Sequence, residues 1–331
     1  RSGRAARRID PRARARRWHR RSADLASDVA GVCFTGSMPT AQRIHRALAD
    51  HTAPSSLLIA ETGGLNAMIV DSTALPEQAV RDIITSGFQS AGQRCSALRM
   101  LYVQKDIADK LLTMLKGAMD CLVIGDPADL TTDVGPVIDE VAQKKLQSYI
   151  DQRQANGQVL HQKAVPAEHA ARGHFIAPTL VQVNGIADLG EEMFGPIVHF
   201  ATFDAHDLEK ILDDVHAQGY GLTLGLHTRI ERRAQELTGR AHVGNIYVNR
   251  NQIGAVVGCQ PFGGCGLSGT GPKAGGPLYL TALAHLHEDD NATYTDILTA
   301  RQLPWDGVSL DSPTGERNIY RVRGRGEVLC L

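Results

Sequence analysis

A cysteine and a glutamate are the residues of this chain best placed to do chemistry. Cys95 closes the run Phe-Gln-Ser-Ala-Gly-Gln-Arg-Cys at 88–95, and Glu61 opens Glu-Thr-Gly-Gly at 61–64, 34 positions earlier. A thiol nucleophile needs a base, for its own proton or for a later water. Cys95 ends a helix-like run and Glu61 a strand-like run, and catalytic groups concentrate where elements give way to loops. Each residue also has a plainer reading. Most lone cysteines are buried and inert, and a strand-end carboxylate is ordinarily solvated. The Gly63-Gly64 pair argues against the plain reading of Glu61, because two glycines let backbone approach a ligand closely. The apolar Leu57-Leu58-Ile59-Ala60 before it disfavours the charged form by desolvation.

Hydrophobic periodicity supplies the elements that must position these groups. A strand is expected over 28–35, then a Gly36-Ser37 turn. A helix follows from Pro39 to His51, with Ala41, Ile44 and Leu48 on one face and Pro39 in the tolerated first turn. Short apolar runs at 57–60 and 66–70 read as strands. A helix from Pro76 to about Ser90 turns Ala79, Ile83, Ile84 and Gly87 inward. A strand over 99–104 leads to a helix over 106–119 with Ile107, Leu111, Leu112 and Leu115 inward. Further helices are expected near 138–156, 205–218 and 230–241, and strands near 197–203, 221–227 and 243–248. This alternation argues an α/β architecture with largely parallel sheets. The glycine-rich stretch 258–277 is too long to be a mere connection. After about 288 the chain turns polar and irregular, and no internal repeat is visible.

The chain has 331 residues, 43% of them hydrophobic, enough for one large domain or two smaller ones. Its net charge of −1 is unevenly spread. Residues 1–24 hold ten arginines, no lysine and two acids, which leaves 25 basic and 34 acidic residues in the remainder. The body is mildly acidic, with no nucleic-acid or membrane surface implied. Six cysteines at 33, 95, 121, 259, 265 and 330 form no Cys-x-x-Cys pair and fit a reduced, cytoplasmic protein. No apolar run approaches the ~18 residues of a membrane helix. Cys259 and Cys265 lack metal-ligand spacing and nearby histidines, so no metal is expected. The arginine-rich start is compatible with a targeting peptide, a basic arm, or a fragment boundary or out-of-frame stretch. Arginine without lysine favours the last.

Four motifs in order resemble the aldehyde dehydrogenase superfamily: Glu-Thr-Gly-Gly at 61–64, Gly-Gln-Arg-Cys at 92–95, Glu-Glu-Met-Phe-Gly-Pro at 191–196, and Pro-Phe-Gly-Gly at 261–264 with Leu-Ser-Gly at 267–269. The resemblance covers about 28–288. It implies an aldehyde-dehydrogenase-like α/β fold, with a parallel α/β catalytic domain plus an incomplete Rossmann-like dinucleotide-binding part. The implied division is an arginine-rich segment 1–27, a partial dinucleotide-binding part 28–70, a catalytic domain 71–288, and an irregular extension 289–331. It implies NAD as cofactor, Cys95 as nucleophile and Glu61 as general base for the deacylating water.

The resemblance also assigns the remaining site residues. Gly36 and Ser37 would form the dinucleotide turn at a helix N-terminus, although Ser37 as a helix cap explains the same sequence. Thr62 and Gly63 would lie beside the cofactor. Glu192 would accept from a ribose hydroxyl and Phe194 would pack near the nicotinamide, against a plain reading as an acidic turn before Pro196. Phe262 would line the aldehyde tunnel or simply pack the core. Gly-Thr-Gly-Pro-Lys-Ala-Gly-Gly-Pro at 269–277 resembles the anchor loop of glutamate-semialdehyde (1-pyrroline-5-carboxylate) dehydrogenases. There, Gly275 and Gly276 would offer backbone N–H groups to the substrate's α-carboxylate. Ser96 fits the same subfamily.

Ala-Glu-Thr-Gly-Gly, Gln-Pro-Phe-Gly-Gly and Pro-Thr-Gly-Glu-Arg-Asn-Ile-Tyr at 313–320 resemble the dehydrogenase half of bacterial bifunctional proline-utilisation flavoproteins. The expected activity is NAD-dependent oxidation of L-glutamate γ-semialdehyde to L-glutamate in proline catabolism. The expected partners are the aldehyde, a second copy in a homo-oligomer, and a proline dehydrogenase domain in the full-length protein. Nothing here resembles that domain's barrel, so no flavin is expected. The family's early strands, its adenosine-ribose lysine and its oxyanion asparagine have no counterpart before residue 28. The chain therefore reads as an internal or C-terminal fragment. An inactive remnant, or a dehydrogenase for another aldehyde, stands as the alternative.

Overall fold

The computed structural model describes residues 29–52, 55–283 and 307–323. The arginine-rich start, with the readings attached to it, lies outside the described residues. The chain divides into two compact units, one ending at Thr62 and one beginning at Gly63.

In the first unit, strand β1 (Gly31–Thr35), the helix Met38–His51 and strand β2 (Leu57–Glu61) follow one another. β1 and β2 pair in parallel from Gly31↔Leu57 to Thr35↔Glu61. Parallel neighbours need a crossover, and the helix is that crossover. Pro39 sits in the first turn, where a missing N–H costs nothing. Ala41 and Leu48 are buried, and Ile44 is half-buried.

The second unit is built on a seven-stranded sheet of order β10-β9-β3-β4-β7-β6-β5. Its strands are β3 (Ala67–Val70), β4 (Met100–Gln104), β5 (Val159–Gln162), β6 (Thr179–Gln182), β7 (Ile197–Phe203), β9 (Thr223–His227) and β10 (Asn245–Val248). All pairs are parallel except β5 with β6. Successive side chains leave a strand on opposite faces, and the core divides accordingly. Met68, Val70, Leu101, Val103, Val198 and Phe200 join one cluster with the helices Pro76–Phe88 and Lys105–Asp120. Ala67, Ile69, Met100, Tyr102, Ile197 and Ala201 join the other, with the helices Glu140–Ala155 and Leu208–Ala217. Leu111 and Leu115 are fully buried, and each such leucine contributes roughly 1.5–3 kcal/mol. Ile107 and Leu112 flank them half-buried.

The structure departs from the periodicity at three places. The helix expected to reach Ser90 ends at Phe88, because Ser90 (φ 56°) and Ala91 (φ 53°) are left-handed inside a short turn, Gln89–Gly92, and an α-helix does not run through such residues. The strand expected over 221–227 is broken. Tyr220–Gly221 (β8) pairs antiparallel with Cys265–Gly266 (β11), and only Thr223–His227 joins the main sheet. The irregular extension carries a hairpin of β12 (Val308–Leu310) and β13 (Asn318–Tyr320). β5 and β6, four residues each, are too short for periodicity to reveal. Among the described residues no helix is long and apolar enough to cross a membrane.

Candidate active site

Within the second unit the sequence motifs meet along the amino ends of adjacent strands. β10, β9, β3, β4 and β7 are consecutive and parallel. Residues 63–66 enter β3, 92–99 enter β4, and 191–196 enter β7. Asn245, the first residue of β10, holds the motif at 261–264: its Nδ2 donates to the Pro261 carbonyl (2.9 Å), and its Oδ1 accepts from the Gly263 N–H (3.3 Å). Open α/β sheets commonly bind ligands at the carboxyl ends of their strands; here the motif residues gather at the opposite edge.

The loop that carries Cys95 is fixed through its backbone. Asn66, 2% exposed, donates from Nδ2 to the carbonyls of Cys95 (2.6 Å) and Ala97 (3.0 Å). Its Oδ1 accepts from the Thr223 N–H at 3.2 Å. The carbonyl between, that of Ser96, accepts from Thr223 Oγ1 and Gln252 Nε2, both at 3.3 Å. Three successive carbonyls are thus held from the residue before β3, from β9 and from the 249–253 turn, while Cys95 itself is half-buried and Ser96 buried. Gln93 braces the loop from the other side, donating to the Pro136 carbonyl (3.1 Å) and accepting from the Ile138 N–H (2.9 Å). Gly92 has φ 64°, and a Cβ there would lie 2.2 Å from the Gly195 carbonyl oxygen. Only glycine allows the entry loops of β4 and β7 to touch.

Glu192 is held by a buried cation. Arg99 is fully buried, and its Nη2 and Nε donate to Glu192 Oε1 at 3.0 and 3.2 Å. Nη1 reaches the Gly195 carbonyl and Nη2 the Arg94 carbonyl, at 3.1 and 3.2 Å. A buried guanidinium needs this density of acceptors to offset its desolvation. Burial lowers the Arg99 pKa, with Glu192 beside it pushing the other way. Burial raises the Glu192 pKa, opposed by Arg99 and by the Gly64 N–H. The guanidinium also lies 5.3 Å from the ring centroid of Phe194, which is itself exposed. A Cβ on Gly63 would sit 1.8 Å from Glu192 Oε2, so the chain passes close under that carboxylate.

The Arg99 backbone is tied in turn to a histidine. His199 Nδ1 contacts the Arg99 carbonyl at 2.8 Å and must donate there, since a carbonyl only accepts. Its Nε2 therefore accepts from Tyr149 Oη at 2.7 Å. The ring is buried and neutral, with its pKa lowered to about 4 chiefly by desolvation.

Phe262 shares both backbone hydrogen bonds with Ala274 (3.0 and 2.9 Å), which joins the Pro-Phe-Gly-Gly motif to the 269–277 loop. Lys273 Nζ donates to the Gly244 carbonyl. Gly275, with φ 70°, is exposed, and Gly276 is half-buried.

In the first unit, the Gly36 N–H donates to the Glu61 carbonyl at 3.0 Å, which fastens the Gly36-Ser37 turn to the end of β2. Ser37 stands at the N-cap of the helix Met38–His51 without capping it; its hydroxyl meets Thr40 Oγ1 at 2.9 Å. No acidic residue occupies the first helical turn, so no side-chain charge there opposes an anion at the positive end of the helix. Thr62 is buried.

Asn66, Arg99, Thr223, Asn245 and Gln252 were not singled out by sequence reasoning. Arg99 carried a usable signal, a lone charge inside the apolar run Ala97-Leu98-Arg99-Met100-Leu101, because such a charge is buried only with a partner. The others had none, since their roles depend on which strands lie side by side.

The aldehyde dehydrogenase family model matches residues 24–287. Bifunctional protein PutA of Klebsiella aerogenes is 48% identical over a match covering 93% of this chain and 27% of that protein. A crystal structure of a Bradyrhizobium japonicum proline utilization A (PutA) mutant aligns with TM-score 0.77 at 51% identity, covering 81% of this chain and 27% of that one. The structure of 1-pyrroline-5-carboxylate dehydrogenase from Thermus with bound NAD aligns with TM-score 0.68 at 33% identity, covering 76% of this chain and 49% of that one. The chain spans 27% of the bifunctional relatives' length and about half that of the Thermus protein.

Proposed function

Because the chain belongs to the aldehyde dehydrogenase family, we propose that it carries the catalytic site for NAD-dependent oxidation of L-glutamate γ-semialdehyde to L-glutamate in proline catabolism. The observation that carries this reading is the clamping of three successive carbonyls around Cys95, beside a carboxylate held on a buried arginine. A nucleophile whose backbone is fixed attacks from one geometry, and small misplacements are costly.

Cys95 is the nucleophile: its sulfur adds to the aldehyde carbon, giving a hemithioacetal that becomes a thioester on loss of hydride. NAD, when bound, supplies the hydride acceptor. Ser37, Gly36, Thr62, Gly63, Glu192 and Phe194 are the residues that would hold it. The unneutralised helix end at Ser37 suits its phosphates, and Glu192, kept in place by Arg99, suits a ribose hydroxyl. Glu61 is the base for the water that releases the acid. Phe262 and Ser96 flank the aldehyde, and Gly275 and Gly276 present backbone N–H groups to its α-carboxylate.

The relatives named bifunctional PutA support a proline dehydrogenase domain in the full-length protein. A cytoplasmic location and a homo-oligomer belong to the same proposal.

The test is NADH formation by the purified chain from NAD and glutamate γ-semialdehyde. Turnover that Cys95→Ala abolishes and Glu61→Gln reduces by ~10²-fold or more is expected. Turnover that survives Cys95→Ala would sink the assignment.

A further inference from the structure

The segment 313–320 takes no part in the chemistry above. It forms the tip and second strand of the β12–β13 hairpin. Glu316 N–H closes the tip onto the Pro313 carbonyl (3.0 Å), and Asn318 N–H donates to Ser312 Oγ (2.9 Å). From this tip Glu316 Oε2 accepts from Arg250 Nη1 at 2.7 Å and from Gln260 Nε2 at 3.2 Å. Gln260 Nε2 also donates to Asn318 Oδ1 (3.2 Å), and its Oε1 accepts from the Val256 N–H (3.0 Å). One carboxylate therefore closes both ends of the 250–260 loop. The Arg250 and Glu316 side chains are 22% and 32% exposed, and the contact is a short charge-assisted hydrogen bond at the surface.

Both arms of that loop run into the candidate site. Gln252 holds the Ser96 carbonyl, but that arm has its own buried anchor, the Gln252 N–H donating to Ser86 Oγ at 3.1 Å, and does not depend on Glu316. Gln260 stands two residues before Phe262, whose backbone is paired with the 269–277 loop. The hairpin is anchored separately at its base, where Arg323 donates to the carbonyls of Thr238 and Ala241, both at 2.7 Å, at the end of the helix Glu231–Arg240.

We propose that Glu316 is a positioning residue for substrate recognition. Through it the C-terminal hairpin sets the placement of Phe262 and the 269–277 loop, and so the affinity for the aldehyde that loop would anchor, a role that rests on the dehydrogenase reading above.

Glu316→Ala and Glu316→Gln in the full chain provide the test, with two readouts. Amide hydrogen exchange over 256–263 and 269–277 should quicken about tenfold in Glu316→Ala while 95–104 stays within about twofold. KM for glutamate γ-semialdehyde should rise about tenfold, with kcat and the KM for NAD within about twofold. Glu316→Gln, which keeps an acceptor for Gln260, should fall between. Unchanged loop exchange in Glu316→Ala overturns the role, as does quickened exchange with an unchanged aldehyde KM. If the unaltered chain shows no turnover, the dehydrogenase reading fails by itself, and loop exchange alone decides whether Glu316 positions the loop.

Discussion

Asn66 grips the backbone of Cys95: its Nδ2 stands 2.6 Å from the Cys95 carbonyl oxygen, and the two residues are 29 positions apart. The contact exists because β3 and β4 are neighbours in parallel, with Ala67 opposite Met100. The residues that precede these two partners therefore meet at the same edge.

Asn66→Ala removes donors to two carbonyls and leaves the buried Thr223 N–H without its acceptor. Stability should fall by about 2–3 kcal/mol. Turnover should drop by ~10²-fold as the thiol shifts. Urea unfolding, together with the alkylation rate of Cys95 by iodoacetamide, checks both. Unchanged alkylation would show that Asn66 does not set the thiol.

Arg99→Met strands the Glu192 carboxylate in a largely buried site. A loss of about 3–5 kcal/mol is expected, because the partner charge stays behind uncompensated. The double variant Arg99→Met/Glu192→Leu should recover much of it. Equal losses in the single and double variants would argue that Arg99 acts through the Gly195 and Arg94 carbonyls instead. Arg99→Lys should rescue poorly, since an ammonium cannot reach three acceptors in one plane.

His199 makes stability depend on pH. Its folded pKa of about 4 lies below the ordinary imidazole value of 6.5, so the unfolded chain binds more protons between these values. Its contribution is complete above about pH 6.5 and declines as pH falls toward about 4. Between about pH 7 and about pH 5 the loss should be about 2 kcal/mol. Urea unfolding at both values measures it. His199→Gln, which does not titrate, should show a smaller pH difference than the unaltered chain. An equal difference would place the acid sensitivity elsewhere, with His227, also lowered by burial, the next group to replace.

Local pattern along the chain reported most of the helices and sheet strands and singled out Cys95 and Glu61 as candidates for chemistry, while β5, β6 and the β12–β13 hairpin carried no such signal. The inward positions Ala79, Ile83, Leu111 and Leu115 obey helical spacing, and all are buried. Cys95 and Glu61 draw notice through the motifs they stand in, Gly-Gln-Arg-Cys at 92–95 and Glu-Thr-Gly-Gly at 61–64. Tertiary structure decided what holds those groups. The bonds from Asn66, Thr223 and Gln252 to the 95–97 carbonyls depend on the strand order β9-β3-β4, which no local pattern encodes. The left-handed Ser90 and Ala91 that end the helix early, and the Glu316 contacts that reach back 66 and 56 positions, have the same origin. Hydrophobic period reports the environment of each residue along one element, whereas a hydrogen bond between distant residues is fixed only when sheet order and packing bring two elements to one edge.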